Sequence, residues 1–292
     1  MIWSCSFVPV HEPIYGISFG TKTGWGWCMG FETGMVMVGS VGIWRNLYLL
    51  GGAAMIRYGV KAATKDIDVL LSTQKGVEEL VLALERLDYK QKQTSKLTPE
   101  CRMMSATRIL ENADGFRWDI FHEYVCKKLR LSPGMINRAK ILMEKGQLKV
   151  WIISKEDIFL LKSVTQRDDD EDDLLLLARS GLDWEVIFTE CIDQSRHDMI
   201  CEIDLHDKLD KLKTSFGLET PITERILKRS HEQMELWFED RIIKELTINS
   251  MTMVEMINRF ECDEKTLLVS LTSLKRSGKI EQIKGRYEVK CG

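Results

Sequence analysis

Apolar positions along the chain predict a strand–helix–strand order that begins near residue 47. One apolar run ends at the pair Gly51-Gly52, and a second run, at 66–71, contains Asp66 and Asp68. At 75–89 the apolar residues recur at helical spacing, which predicts an amphipathic helix after the second run. The chain is therefore expected to mix strands and helices.

The same pattern continues through the middle of the chain. Strands are predicted at 115–121 and 148–153, with a short helix at 135–143 between them. Ser154 precedes acidic residues, as an N-cap does, and opens a helix. The acidic run that ends at 173 is predicted to be mostly a solvated helix start, and helices are expected to continue to about residue 239.

The last fifty residues have a pattern of their own. Three short amphipathic segments, at 242–248, 251–260 and 264–276, precede two alternating strands around Lys284-Gly285. This layout is typical of a winged helix, in which the second and third helices form a helix-turn-helix. Nucleic-acid contact is one interpretation, and packing or dimerisation is the other. The candidate contact residues are basic: Lys275, Arg276, Lys284 and Arg286.

Composition limits the ligands and the cellular location that can be expected for the chain. The chain has 292 residues, a net charge of −3 and a pI near 6.0, so any nucleic-acid contact must come from a local patch. Its eight cysteines are scattered without a CxxC pair, which argues against a zinc site or a disulfide framework. No apolar run is long enough for a transmembrane helix, and a cytoplasmic location without membrane contact is expected.

The first 45 residues differ in composition from the rest. Residues 1–44 hold four of the eight tryptophans and eight of the twenty glycines, but only three charged residues. The segment lacks the basic start of a signal peptide and has no helical periodicity. We expect it to add little to the function; a start-site artefact and a poorly ordered extension both fit.

Candidate chemistry lies in the Asp66-Ile67-Asp68 stretch. Side chains alternate along a strand, so Asp66 and Asp68 point to the same side, about 6–7 Å apart. Two such carboxylates repel each other unless a cation lies between them, and Mg²⁺ prefers oxygen ligands and phosphate. Gly51-Gly52 allows a close backbone approach to a phosphate. The alternative is a solvated strand face with an ordinary glycine turn.

Asp119 is a third candidate acid. It lies in the predicted strand at 115–121, between Trp118 and Ile120, and points to the opposite face from them. An acid in an apolar strand is costly to bury unless it is paired or bound to metal. A rim aspartate at the strand end is the other interpretation.

Taken together, these motifs resemble the nucleotidyltransferase fold of the DNA polymerase β type. Its pattern is a glycine pair, a spacer, DxD, and an acid on a later strand, which GG-x13-DID and DGFRWDIF match. With SKEDIFLLK, they look like the small prokaryotic and archaeal nucleotidyltransferases related to abortive-infection toxins. The resemblance spans about residues 47–192 and implies a mixed sheet flanked by helices, in an α/β (α+β) fold.

The resemblance also implies roles for particular residues. Gly51 and Gly52 would hold a triphosphate, which Thr64 and Lys65 would border. Asp66, Asp68 and Asp119 would form the catalytic, metal-binding set, with room for two Mg²⁺ ions, and Asp119 would help activate the incoming hydroxyl.

Two basic residues, Lys162 and Arg167, match positions that face the phosphates in this group. Each also has a simpler interpretation: a lysine that extends along an amphipathic helix to solvent, and a partner of the acidic run. Asp172 is a looser match that would orient Lys162 or cap the helix.

These inferences lead to four predicted domains and to competing functions. The divisions are the atypical segment at 1–45, a nucleotidyltransferase core at 46–153, a helical region at 154–239 and a winged-helix-like unit at 240–292. The first hypothesis is an enzyme that moves a nucleotidyl group from a nucleoside triphosphate, ATP among them, to an acceptor. RNA such as tRNA is the favoured acceptor, and a protein or a small molecule is the alternative. A role as the toxin of a toxin–antitoxin or phage-defence pair would bring a cognate antitoxin as partner. The alternatives are a DNA-binding regulator or antitoxin that senses nucleotide, and an interaction module.

Overall fold

The computed structural model describes residues 45–92, 104–146, 148–165, 167, 170–195 and 200–290. Apart from Arg45, the atypical segment at 1–45 lies outside the described residues, so the expectations for it stay predictions.

A seven-stranded mixed sheet forms the centre of the molecule. Its order is β3-β4-β5-β2-β1-β9-β8. The β1–β9 and β2–β5 pairs are parallel, whereas the other pairs are antiparallel. The strands are β1 (Arg45–Leu49), β2 (Asp66–Leu71), β3 (Lys90–Gln91), β4 (Arg108–Glu111), β5 (Arg117–His122), β8 (Lys140–Lys145) and β9 (Leu148–Ile152); a separate hairpin is formed by β6 (Tyr124–Val125) and β7 (Leu129–Arg130).

Helices flank this sheet and follow it in the chain, which confirms the predicted fold class. Their bounds are α1 (Gly51–Arg57), α2 (Gln74–Glu85), α3 (Pro133–Arg138), α4 (Lys155–Ser163), α5 (Asp170–Arg179), α6 (Trp184–Ser195), α7 (Ile200–Phe216) and α8 (Thr223–Ile248). None of the helices described is both long and apolar enough to cross a membrane.

Local sequence explains how several helices begin and which face they bury. The predicted N-cap Ser154 accepts a hydrogen bond from the Asp157 backbone N–H at 3.1 Å, and Thr73 caps α2 in the same way. On α2 the predicted apolar face, including Val77, Leu80 and Leu84, is buried against the sheet. Strands β2 and β5 contribute Val69, Trp118 and Ile120 to the same core.

One predicted element is wrong. The helix predicted at 135–143 ends at Arg138, and Lys140–Lys145 forms strand β8, which pairs with β9. Ala139 already has an extended backbone, with ψ of 140°. The residues of β8 complete the sheet edge, so strand pairing decides their conformation over the local helical pattern.

The C-terminal part has its own core. Strands β10 (Met251–Thr252), β11 (Ile280–Ile283) and β12 (Arg286–Val289) form a three-stranded sheet in the order β10-β12-β11. Helices α9 (Met253–Phe260) and α10 (Glu264–Arg276) pack with it around a second hydrophobic cluster. The hairpin turns at Lys284-Gly285, where a turn was predicted; the winged-helix assignment itself stays a prediction.

Helix α8 belongs to both cores. Ile226 lies in the first hydrophobic cluster, and Ile242 and Leu246 lie in the second. The segment predicted as a separate helix at 242–248 is the last part of this 26-residue helix. The predicted boundary at 239–240 therefore falls inside a continuous helix, while the division into domains stays a prediction.

Candidate active site

Strand pairing brings the three predicted acids together. In the parallel pairing of β2 with β5, Asp68 lies opposite Asp119, and Asp66 lies opposite Arg117. Residues that alternate along neighbouring strands point to the same face. Asp66, Asp68, Arg117 and Asp119 therefore share one face of the sheet. Asp119 is buried, while Asp66 and Asp68 are partly buried.

The glycine pair begins α1 directly beside this face. Gly51 has a φ of +54°, and a Cβ atom there would collide with the Asp68 carboxylate. A Cβ at Gly52 would lie 3.0 Å from Thr64 Oγ1. A side chain at Gly51 would therefore collide with Asp68 of the acid strand, and one at Gly52 would require Thr64 to move by a few tenths of an ångström. The glycines let the backbone of α1 approach the acids closely.

Arg117, which the sequence analysis did not select, lies among the acids. Its Nη2 donates to Asp66 Oδ2 at 2.9 Å and to Asp119 Oδ2 at 3.0 Å. Its Nε lies 2.9 Å from Asp119 Oδ1. The guanidinium therefore bridges two of the three carboxylates. Its position two residues before Asp119 is the sequence signal that could have indicated a shared face.

Burial and mutual repulsion raise the pKa values of two of the three carboxyl groups. Burial raises the pKa of Asp68 to about 6, and repulsion from Asp66 adds to the rise. Burial raises the pKa of Asp119 to about 7, and repulsion from Asp68 adds to it, although Arg117 opposes the rise. Both side chains would therefore be stabilised by an additional cation on this face.

The residue types suit a divalent metal ion, because three carboxylates supply the oxygen ligands that Mg²⁺ prefers. Within the residues that the structure describes, however, no group of three or more His, Cys, Asp and Glu side chains is arranged to hold a metal. Two of the acids are instead engaged by Arg117.

Lys162 lines a cleft together with Gly51 and Asp68, and its ammonium group lies in a buried ionic cluster. Its Nζ is 2.6 Å from Asp170 Oδ1 and 2.8 Å from Asp173 Oδ2. Lys61 also donates to Asp173 at 2.8 Å, and Thr165 donates to Asp170. Burial lowers the pKa of Lys162, but the two aspartates outweigh it and the net shift is upward. Lys162 is thus a charged, fixed group, with its side chain only 11% exposed.

The acidic run is therefore only partly a solvated helix start. Asp170 and Asp173 are buried and paired, whereas Asp172 is exposed. Of the two roles predicted for Asp172, the orientation of Lys162 is wrong, because Asp170 and Asp173 pair with that lysine. The role of Asp172 as a helix cap stays a prediction. The three-residue spacing of Asp170 and Asp173 places them on one helix face, which could have indicated the pairing.

Of the other predicted phosphate-side residues, Arg167 lies in the cleft and Thr64 lies beside Gly52. Arg167 lines the cleft together with Asp68 and Lys162, and donates to Met104 Sδ at 3.2 Å. The Thr64 hydroxyl accepts from the Asp66 backbone N–H at 3.3 Å, and Lys65 is exposed just before β2. The cavity at the base of the cleft measures about 40 Å³, room for a few waters or an ion rather than a nucleotide.

A family model described as "Nucleotidyltransferase of unknown function" (DUF6036) matches residues 34–216. The match covers more than half of the chain and includes the glycine pair, the acid strands and the Lys162 cluster. The protein belongs to this nucleotidyltransferase family. Membership makes it a transferase, and it confirms the resemblance to nucleotidyltransferases drawn from the motifs. The match also begins inside the Trp/Gly-rich segment, eleven residues before β1.

One solved structure resembles the nucleotidyltransferase more weakly. It is the solution structure of the antibiotic-resistance factor ANT(2'')-Ia, with 15% sequence identity and a TM-score of 0.40. The similarity covers 59% of this chain and 95% of that one. Likeness at this level assigns neither substrate nor acceptor. No curated protein matches the chain.

The four basic residues predicted for nucleic-acid contact lie at the C-terminal end of the transferase. Lys275 and Arg276 end α10, and Lys284 lies in the β11–β12 turn. Arg286 is engaged within the unit, since its Nη2 lies 2.9 Å from Glu255 Oε2 and donates to the Ser250 carbonyl oxygen. Arg276 and Lys284 are exposed, and a role in nucleic-acid binding stays a prediction.

Proposed function

We propose that this nucleotidyltransferase uses Mg²⁺ to move a nucleotidyl group from a nucleoside triphosphate to the hydroxyl of an acceptor, with pyrophosphate as the leaving group. The observation that carries the proposal is the register of β2 and β5, which aligns Asp68 with Asp119 beside the glycine pair. Carboxylates on adjacent strands next to a close backbone approach suit a metal-bound triphosphate.

Each group around the cleft has a role in this proposal. When bound, Mg²⁺ would neutralise phosphate charge and polarise the phosphorus–oxygen bonds. Asp66, Asp68 and Asp119 would hold the metal, two ions being the expected number, and Asp119 would also help to remove the proton of the attacking hydroxyl. Gly51 and Gly52 would give the triphosphate close access to the backbone, with Thr64 and Lys65 at its border. Lys162 and Arg167, on the other wall, would offset phosphate charge.

The acceptor that we favour is an RNA such as tRNA, with a protein as the second choice. The basic end of α10 and the exposed Lys284 support a polyanionic acceptor, because exposed lysines and arginines are what attract phosphate backbones. A toxin or defence role, with a cognate antitoxin, remains part of the hypothesis and rests on the motif resemblance alone.

A labelling experiment tests the activity and its acceptor together. Purified protein, Mg²⁺ and each α-labelled nucleoside triphosphate are mixed with total RNA or with lysate protein. Label transfer by the wild type, absent with Asp66→Ala/Asp68→Ala and with EDTA, is the expected result. A folded wild type that transfers no label with any triphosphate would contradict the proposal.

The basic surface is tested by one pair of charge changes. Lys275→Gln/Arg276→Gln is expected to lower RNA affinity several-fold at low salt and to flatten its salt dependence, since each phosphate contact releases counterions. Filter binding across a salt series measures both. Lys228→Gln/Lys244→Gln, which removes two exposed charges from α8, is the matched control. Equal losses in the two variants would indicate a nonspecific charge effect.

A further inference from the structure

The guanidinium of Arg117 occupies space between carboxylates that the proposed function assigns to a cation. It contacts both Asp66 and Asp119 at 2.9–3.0 Å, and its side chain is only 16% exposed. Ion pairs of this kind, with hydrogen bonds to two partners, hold an arginine in a fixed position. It therefore lies where a ligand of the same two carboxylates would have to bind.

The positive charge of Arg117 affects how a metal ion could bind between Asp66 and Asp119. The three aspartates carry three negative charges when ionised, and Arg117 cancels one of them. A divalent ion that enters between Asp66 and Asp119 must replace the hydrogen bonds that the guanidinium makes. Bonds between charged groups are the stronger ones, so this replacement opposes metal binding by the free protein.

We infer that Arg117 is a resident counter-ion of the acid cluster, which holds Asp66 and Asp119 in place without metal and must leave them when a divalent cation binds. The inference rests on the proposed function, because it takes these aspartates as metal ligands. Arg117 is a positioning residue here. It keeps metal affinity low until a triphosphate supplies further ligands for the cation and a new negative partner for the guanidinium.

The first experiment measures binding of Mn²⁺ alone, by electron paramagnetic resonance, to the full-length protein. Arg117→Gln is expected to bind Mn²⁺ about tenfold more tightly than the wild type without nucleotide, the scale of a lost charge-assisted bond. Arg117→Lys, which cannot bridge two carboxylates in the same planar way, should give an intermediate affinity and keeps the test valid if the glutamine variant fails to fold.

Arg108→Gln is the matched control. It removes a positive charge from β4, the strand next to β5, at an exposed position whose side chain donates to the neighbouring Thr107 carbonyl oxygen. Its Mn²⁺ affinity should equal that of the wild type. A thermal scan in EDTA adds a second readout: Arg117→Gln should melt at a lower temperature than the wild type, and Mn²⁺ should raise its melting temperature by more.

Two results would overturn the inference, and they are distinguishable. If Arg117→Gln and Arg117→Lys bind Mn²⁺ no more tightly than the wild type while Asp66→Asn abolishes binding, the aspartates are metal ligands and Arg117 is not their competitor. If no protein binds Mn²⁺ with or without a nucleoside triphosphate, the proposed metal site fails, and the inference fails with it.

Discussion

The Cβ atom that Gly51 lacks decides how close α1 comes to the acid strand. An alanine there would combine an unfavourable positive φ, costing about 1–2 kcal/mol, with a collision against Asp68. We expect Gly51→Ala to lose transfer activity and to reduce the free energy of unfolding by more than the strain alone.

Gly59→Ala separates the two effects. Gly59 has a φ of +70°, but a Cβ atom there would meet no atom within 4 Å. Urea unfolding should show only the strain cost for this variant, and labelling should show full activity. Equal behaviour of the two variants would mean that contact with Asp68 is unimportant.

The raised pKa values of Asp68 and Asp119 predict how stability varies with pH in metal-free protein. Both groups bind protons more tightly in the folded than in the unfolded chain. The stability that they contribute therefore falls as pH rises from about 4 through their folded pKa values of about 6 and about 7. Asp68→Asn removes one of the interacting charges. At pH 8 in EDTA its free energy of unfolding should be about 1–3 kcal/mol higher than that of the wild type, and at pH 4 the two should differ little.

The same variant should be inactive and gain no stability from Mg²⁺, so stability and function oppose each other at this position. Urea titrations at both pH values, with EDTA or Mg²⁺, measure the effect. Asp114→Asn, at an exposed turn before β5, is the control. A wild type that is as stable as Asp68→Asn at pH 8 in EDTA would contradict the prediction.

At the scale of elements, the cluster around Lys162 ties α4 to α5. Removing one partner of a buried pair leaves an uncompensated charge, which costs about 3–5 kcal/mol. Asp170→Ala should therefore destabilise the chain strongly, while Asp172→Ala, on the exposed face of the same helix, should change the free energy of unfolding by less than about 0.5 kcal/mol. Thermal unfolding of both variants tests this, and similar losses would contradict the assignment.

Elements that depend on local pattern could be predicted, whereas those that depend on partners could not. The acid strand β2 and the helix α2 follow from alternation and helical spacing. The helix predicted at 135–143 is wrong where it overlaps β8, because the conformation of β8 comes from pairing with β9. Arg117 was missed for a related reason: an arginine at a strand start reads as solvated until the parallel register with Asp66 is known.

At the scale of the molecule, the two hydrophobic cores predict that a mutation in one core affects mainly the part of the chain built on that core. Leu271 is buried in the C-terminal cluster and Leu80 in the sheet cluster. Leucine-to-alanine changes at such sites cost about 2–5 kcal/mol. Leu271→Ala should expose the C-terminal unit to protease while nucleotide binding survives, and Leu80→Ala should impair nucleotide binding. Identical proteolysis patterns for the two would show a single cooperative unit.

The unbroken course of α8 has a geometrical consequence. A 26-residue helix is a rod roughly 39 Å long, and each residue in it turns the chain by about 100°. Inserting one residue in its exposed middle, near Leu236, would move the C-terminal unit only about 1.5 Å along the helix axis but rotate it by about 100° around that axis. The basic end of α10 would then face another direction relative to the acid strands. The helix thus fixes the angle between the basic end of α10 and the acid strands. An acceptor long enough to contact both would bind differently if that angle changed.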